Sequence, residues 1–338
     1  MMKTVMTVRG KVDADQMGRT LMHEHFLFGF CGFQGDSTLG PFREEAYLKT
    51  CVDAVNRAKA CGFQTFVDAT TNECGRNPVF LKKLAEETDV NILCATGFYH
   101  ESESAFAYWK FRSSFGDIGQ EIYEMLLTET AEGIEGTGIR AGVIKLASGA
   151  EFSPLERIFF KAAARVNGET GVPIITHTQL GKQGPEQAAL LLAGGADPGK
   201  IAIGHMCGNT DISYHEAVLR QGVFDAFDRF GLEGELFKTP TDEARVDLIV
   251  RLLERGWEDQ LLMSHDFVNV ELGRPHAPLP MDHASIGNIG ERVIPMLKAR
   301  GVTDRQLDKL LIENPARLLG QDCTRSQLRK GAQDEKQI

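Results

Sequence analysis

The stretch "RTLMHEHFLFGF" (residues 19–30) carries two histidines one residue apart, with Glu24 between them. An apolar run of this kind reads as a strand, on which alternate side chains share a face. His23 and His25 then project together and Glu24 points to the other side. Each imidazole on such a face needs a partner for both ring nitrogens. A metal pair meets that need, and so does a hydrogen-bonded polar core. Further ionisable residues sit late in other apolar runs: Lys145 in "GVIKLAS", His177 in "IITHTQ", His205 in "AIGHMCG" and Asp266 in "LLMSHD". Alone, a His at a strand end is commonly a loop anchor, and an Asp there a helix N-cap. Four His and an Asp converging without a metal would leave many polar groups to satisfy. Imidazole and carboxylate together suit zinc and its first-row neighbours. Lys145 fits such a site poorly, because a buried ammonium is costly and divalent cations would repel it. Either its amine is led outward as a structural group, or it has been converted to something anionic. The residues alone leave both open.

Convergence requires a fold that gathers strand ends. Short apolar runs alternate with amphipathic segments along the whole chain. Strands are expected at 20–26, 65–70, 91–98, 141–147, 173–178, 201–206, 223–230 and 261–266. Between them lie helical patterns such as "EEAYLKTCVDAVNRAKACGF", "PLERIFFKAAARVNGETG" and "EARVDLIVRLLERG". Several close on glycine before the next strand, as at Gly62, Gly171 and Gly222, an ordinary helix stop. Eight strand–helix units predict a (β/α)8 TIM barrel, with a doubly wound open sheet as the alternative. In a barrel all strand C-termini meet at one rim, where barrel active sites sit.

The 338 residues, 42% hydrophobic and 25% charged, describe a soluble globular protein. No composition shift marks a second domain, so one domain is expected over 1–320. It ends in a helix near 303–319, followed by a polar, flexible tail over 321–338. A net charge of −10 argues against nonspecific binding to nucleic acid or an anionic membrane. No apolar run is long enough to span a bilayer, and "MMKTVMTVRG" has no sustained apolar core of a secretory signal. Seven irregularly spaced Cys show neither a metal pair nor a disulfide framework. They read as thiols of a cytoplasmic protein.

HxH on strand 1, Lys on strand 4, His on strands 5 and 6 and Asp on strand 8 form the ligand set of the amidohydrolase superfamily. Within it the chain closely resembles the phosphotriesterase family. The stretches "LMHEHF", "AGVIKLAS", "PIITHT", "IAIGHMCGNTD", "DRFGLE", "LLMSHD" and "IENPARLL" carry that resemblance in order, from about residue 5 to 319. "DRFGLE" and the strand-4 Lys look more like the phosphotriesterase-like lactonase branch. The resemblance implies two divalent metal ions, with zinc, cobalt, manganese and iron all suitable. His23, His25 and Asp266 would hold the more buried one, and His177 and His205 the more exposed one. Lys145, carboxylated on its ε-nitrogen, would bridge both together with a hydroxide that attacks the substrate. Asp266 would take the proton. Glu24 and His265 would face away from the metals.

The same resemblance puts Tyr99, in "TGFYHE", and Arg229, in "DRFG", beside the substrate. On their own residues, Tyr99 reads equally as a rim-packing aromatic. Arg229 reads equally as an ion-pair partner of Asp228 or Glu233. The segment 267–285, with three Pro and two His, is expected to be a loop covering the pocket. Relatives that cleave long-chain acyl lactones often carry a Trp there. This chain's only Trp residues are Trp109 and Trp257, which puts a long acyl chain in doubt. His276 and His283 are expected on the solvent side of that loop. The implied activity is opening of an acyl-homoserine or other γ- or δ-lactone, with side activity on phosphotriesters. The alternatives are a phosphotriesterase or other ester hydrolase, and a non-catalytic metal-binding barrel. A homodimer is expected from the family.

Overall fold

The structure, a computed structural model, describes residues 3–233, 239–276 and 283–322. Its central sheet has nine strands, all paired in parallel and wrapped into a barrel with helices outside. A short hairpin, β1 (Lys3–Thr7) and β2 (Gly10–Asp13), precedes it. The barrel then runs β3 (Arg19–Phe28), α1 (Glu44–Ala60), β4 (Phe63–Asp68), α2 (Pro78–Thr88) and β5 (Asn91–Gly97). Two helices follow, α3 (Phe106–Arg112) and α4 (Ile118–Ala131), then β6 (Val143–Ser148), α5 (Pro154–Thr170), β7 (Ile174–Thr178) and α6 (Gly184–Ala193). The circuit continues through β8 (Ile201–Ile203), α7 (Ile212–Leu219), β9 (Phe224–Phe227), α8 (Asp242–Glu254), β10 (Leu261–Met263) and β11 (Phe267–Glu271). Helical segments over 289–299 and 304–319 complete it, each opening on or containing a π-helical turn.

All eight expected strands are present. The difference lies at the eighth, which is broken in two. β10 pairs with β9, while β11 pairs with β3, so the two halves close the barrel between its last and first strands. The break falls at 264–266, where Asp266 takes a left-handed φ of 57°. His23 and this segment still exchange bonds: the His23 amide donates to Ser264 Oγ at 2.8 Å, and the Asp266 amide to the His23 carbonyl at 2.9 Å. Residues 267–271 are therefore strand rather than loop, a correction forced by that pairing.

Helix ends follow local chemistry. Ser153 and Glu156 form a capping box at the start of α5, and Gly171 closes it at φ 74°. The antiparallel sheet β12–β1–β2, where β12 is Gln321–Asp322, is absent from the sequence reading. Its strands are too short for a period-2 signal, and Lys3 pairs with Asp322 at the other end of the chain. Val5 and Met17 from this region pack with Leu318, Leu319 and the barrel interior residues Val67, Leu93, Val143 and Leu262. They plug the barrel floor opposite the site. Residues 321 and 322 thus belong to the folded body, and the rest of the expected tail, 323–338, lies outside the described residues. No helix among the described residues is long and apolar enough to cross a membrane.

Candidate metal centre and cavity

The six expected ligands come from five barrel strands, His23, His25, Lys145 and His177 within β3, β6 and β7 and His205 and Asp266 just beyond β8 and β10, and they gather at one place. Asp266 Oδ1 lies 3.0 Å from His25 Nε2 and 3.5 Å from His23 Nε2, and its Oδ2 lies 3.6 Å from His205 Nε2. Lys145 Nζ is 3.0 Å from His23 Nε2 and donates to the Thr176 carbonyl at 3.2 Å. The His177 ring stands edge-on to that of His205, with centroids 4.4 Å apart.

Two side chains that sequence reading did not single out set the imidazole tautomers. Asp228 is buried, and its carboxylate takes His23 Nδ1 at 3.0 Å and His205 Nδ1 at 2.9 Å, plus the His205 amide at 2.7 Å. Both rings then carry Nδ1–H and turn an Nε2 lone pair inward. Thr70 does the same for His25. Its hydroxyl donates to the Leu27 carbonyl at 3.0 Å, so its oxygen accepts from His25 Nδ1 at 2.9 Å. His25 Nε2 consequently presents a lone pair to a carboxylate oxygen, and a cation or a proton must lie between them. His205 Nε2 is buried with no hydrogen-bond partner among the described residues. Such an orphaned inward lone pair is what a first-row metal ligand offers. His177 spends Nε2 on the Gln179 side-chain oxygen at 2.7 Å, which leaves Nδ1 as its free ring nitrogen.

Ligand atoms of His23, His25 and Asp266 lie close enough to one another to share one ion, and so do those of His23, His205 and Asp228. In the second group both Asp228 oxygens are already spent on imidazole N–H groups, so Asp228 orients rather than ligates. The first group is the set expected for one divalent ion, and His177 and His205, expected at a second, are neighbours on the same floor with their rings edge-on.

Burial dominates the electrostatics of the rings, and their exchange with Asp266 dominates that of the carboxylate. Burial lowers the pKa of His23, of His177 and of His205, the last to about 3. Burial also lowers Lys145 to about 8, against the opposing pull of Asp266 and Asp228. Burial alone would raise Asp266, but His205, His23, His25 and Arg229 outweigh it and hold the carboxyl well below its ordinary range.

Arg229 donates from Nε to Asp266 Oδ2 at 3.0 Å. Its partner is therefore the centre itself and not Asp228 or Glu233. The Tyr99 ring lies edge-on to His177 at 4.9 Å, and burial raises its phenol well above the ordinary value. Both side chains line a cavity of about 870 Å³ whose floor is the centre and whose walls include Phe28, Phe30, Leu232 and Phe267. His276 also lines this cavity and pairs with Glu271 at 2.6 Å, so it faces the mouth rather than the solvent side alone. His283 stands 3.8 Å from Glu233. Residues 277–282 of the expected covering loop lie outside the described residues.

Glu24 and His265 do point away. Glu24 Oε1 accepts from Ser264 Oγ (2.7 Å), from the His265 amide (3.0 Å) and from His265 Nδ1 (2.7 Å), while Oε2 accepts from the Phe267 amide (3.2 Å). The backbone is strained at two of the expected ligands. His205 and Asp266 are non-glycine residues at left-handed φ of 59° and 57°. The residue before His205 must be glycine, because a Cβ on Gly204 would come within 2.0 Å of the Thr176 carbonyl.

Residues 3–319 match the phosphotriesterase family. The fold is similar to that of an organophosphorus hydrolase from Deinococcus radiodurans, at 52% identity and a TM-score of 0.92, covering 95% of this chain and 99% of the other. It is also similar to a six-substitution variant of a Deinococcus radiodurans PTE-like lactonase, at 53% identity and a TM-score of 0.91, covering 94% and 100%. An aryldialkylphosphatase of Saccharolobus solfataricus is 33% identical over 322 residues, 93% of this chain and 98% of that protein.

Proposed function

The chain belongs to the phosphotriesterase family and is a hydrolase of ester bonds, and from that premise we propose that it is a binuclear metal-dependent lactonase. The observation that carries this reading is the set of inward imidazole lone pairs around Asp266 and Lys145 at the floor of a large cavity. Two divalent cations, zinc or else cobalt, manganese or iron, would be held by His23, His25 and Asp266 and by His177 and His205, with carboxylated Lys145 shared, and would supply an activated water and a Lewis acid.

The chain's own residues do the rest. Asp228 and Thr70 keep three rings in the ligating tautomer. Arg229 offers guanidinium N–H groups to a substrate oxygen, and Tyr99 offers a phenol. Asp266 serves as proton acceptor and passes the proton to the leaving alkoxide. A carboxylate held far below its ordinary pKa is a weak base. A substrate oxygen that takes over the Arg229 Nε–H loosens one of the contacts that depress Asp266. The apolar walls receive the substituent of the ring.

A second reading, hydrolysis of aryl phosphotriesters, is favoured by those aromatic walls and by the similarity to an aryldialkylphosphatase. A homodimer and a cytoplasmic location complete the proposal. Exposed aromatics at Tyr108, Phe111 and Phe115 support the first, and the free thiols of the described residues the second. The test is a kinetic panel on metal-loaded protein. Acyl-homoserine, γ- and δ-lactones are compared with an aryl dialkyl phosphate. We expect kcat/KM for the best lactone to exceed that for the phosphotriester by at least about tenfold, roughly 1.4 kcal/mol in transition-state binding. The reverse order would establish the second reading.

A further inference from the structure

His100 directly follows the cavity tyrosine, yet it does not line the cavity. It is 1% exposed, in the turn that leaves β5, and its carbonyl accepts from the Glu103 amide at 3.1 Å. Its imidazole packs behind two rings that face the site. The centroid lies 4.3 Å from that of Tyr99, tilted 43°, and 5.5 Å from that of His177, tilted 36°. Tyr99 and His177 in turn meet edge-on, so the three rings form one closed cluster. Ser102 Oγ fixes the His100 ring through Nδ1 at 2.8 Å. Nε2 is buried without a hydrogen-bond partner among the described residues, Glu103 Oε2 standing at 3.6 Å, beyond hydrogen-bond reach.

A buried polar ring with one unsatisfied nitrogen costs stability that an apolar side chain of similar size would not. What it gives is a flat face, anchored at one edge, lying against Tyr99. Ring pairs prefer defined tilts and offsets, so a ring tilted 43° against Tyr99 restricts its neighbour's rotation more than aliphatic packing does. We infer that His100 is a positioning residue that holds the Tyr99 phenol in the cavity wall against His177. The inference rests on the proposed role of Tyr99 in substrate binding. It does not depend on whether the substrate is a lactone or a phosphotriester.

The test is a double-mutant cycle on metal-loaded full-length enzyme, using whichever ester the wild type hydrolyses best. His100→Ala removes the face and should raise KM by about fivefold with kcat within about twofold, because binding rather than chemistry loses its support. His100→Phe keeps a flat ring and should restore KM to within about twofold of wild type. In a Tyr99→Phe background, where the phenol is already gone, His100→Ala should add less than about twofold. Full additivity in that background would overturn the proposal, as would equal losses in His100→Ala and His100→Phe. If His100→Ala does not fold, the His100→Phe and Tyr99→Phe single and double variants still decide, since a deficit in His100→Phe is not allowed. A wild type inactive on lactones would fail the substrate reading alone. A Tyr99→Phe variant with unchanged KM would fail the premise about Tyr99.

Discussion

At the scale of single residues, one carboxylate governs two rings of the candidate centre, since Asp228 takes Nδ1 of both His23 and His205. Four His, a Lys and an Asp at strand ends stand out against apolar runs. Asp228 did not stand out. It sits beside Arg229 in "DRFG" and read as an ordinary ion-pair partner, because its link to His23 spans 205 positions. Removing its charge should loosen two rings at once. Asp228→Asn is expected to lower metal affinity by about 10- to 100-fold, measured by competition with a chromogenic chelator. Unchanged affinity would reduce Asp228 to a packing group. Lys145 gives a sharper expectation. With its pKa lowered to about 8, roughly half of the amine is neutral at pH 8 and roughly 3% at pH 6.5. Only the neutral amine reacts with carbon dioxide. Burial holds His177 well below its ordinary value and His205 at about 3 and lowers His23 as well, so protons compete little with metal for these rings. Metal-free protein given zinc and the same dissolved concentration of labelled carbon dioxide at both pH values should therefore recover activity about tenfold faster at pH 8. A carbamate carbon signal should appear with it. Equal rates and no such signal would leave Lys145 unmodified.

At the scale of elements, all eight strands and most helices followed from apolar periodicity, and their order gave the barrel. The break in the eighth strand was not readable. The apolar pattern continues through "LLMSHDFVNV", while the left-handed turn at Asp266 depends on tertiary bonds. Glu24 makes those bonds. Read in sequence, it is the residue between two ligands; folded, it takes four donors from 264–267 and ties the last strand to the first. Glu24→Ala leaves these donors unpaired inside the protein and should cost about 3 kcal/mol or more in stability. Urea unfolding would measure it. Since the same segment aims Asp266, activity should fall in the folded fraction as well. A variant with wild-type stability would mean that the strand pairing of β11 with β3 closes the barrel unaided.

At the scale of the whole molecule, stability and chemistry are built from different parts. The core consists of apolar clusters between barrel and helices and within the barrel, plugged below by β1 and the last helical segment. The ionisable centre lies at the opposite rim, and Asp228 and Thr70 hold three of its imidazoles through hydrogen bonds that need no cation. This separation predicts how the protein answers to metal removal. Dialysis against a chelator should abolish ester hydrolysis while far-ultraviolet circular dichroism at 25 °C stays unchanged. Tm should fall in proportion to the lost binding energy, since a metal that binds only the folded state stabilises it by RT ln(1 + [metal]/Kd). At a free metal concentration about a hundredfold above Kd, that is about 2.7 kcal/mol. Adding zinc or cobalt back should restore both activity and Tm. Loss of secondary structure on chelation would make the metal part of the scaffold, against the division seen here. Hydrolysis that survives complete removal would take the metal out of the reaction and leave Arg229, Tyr99 and Asp266 to account for it alone.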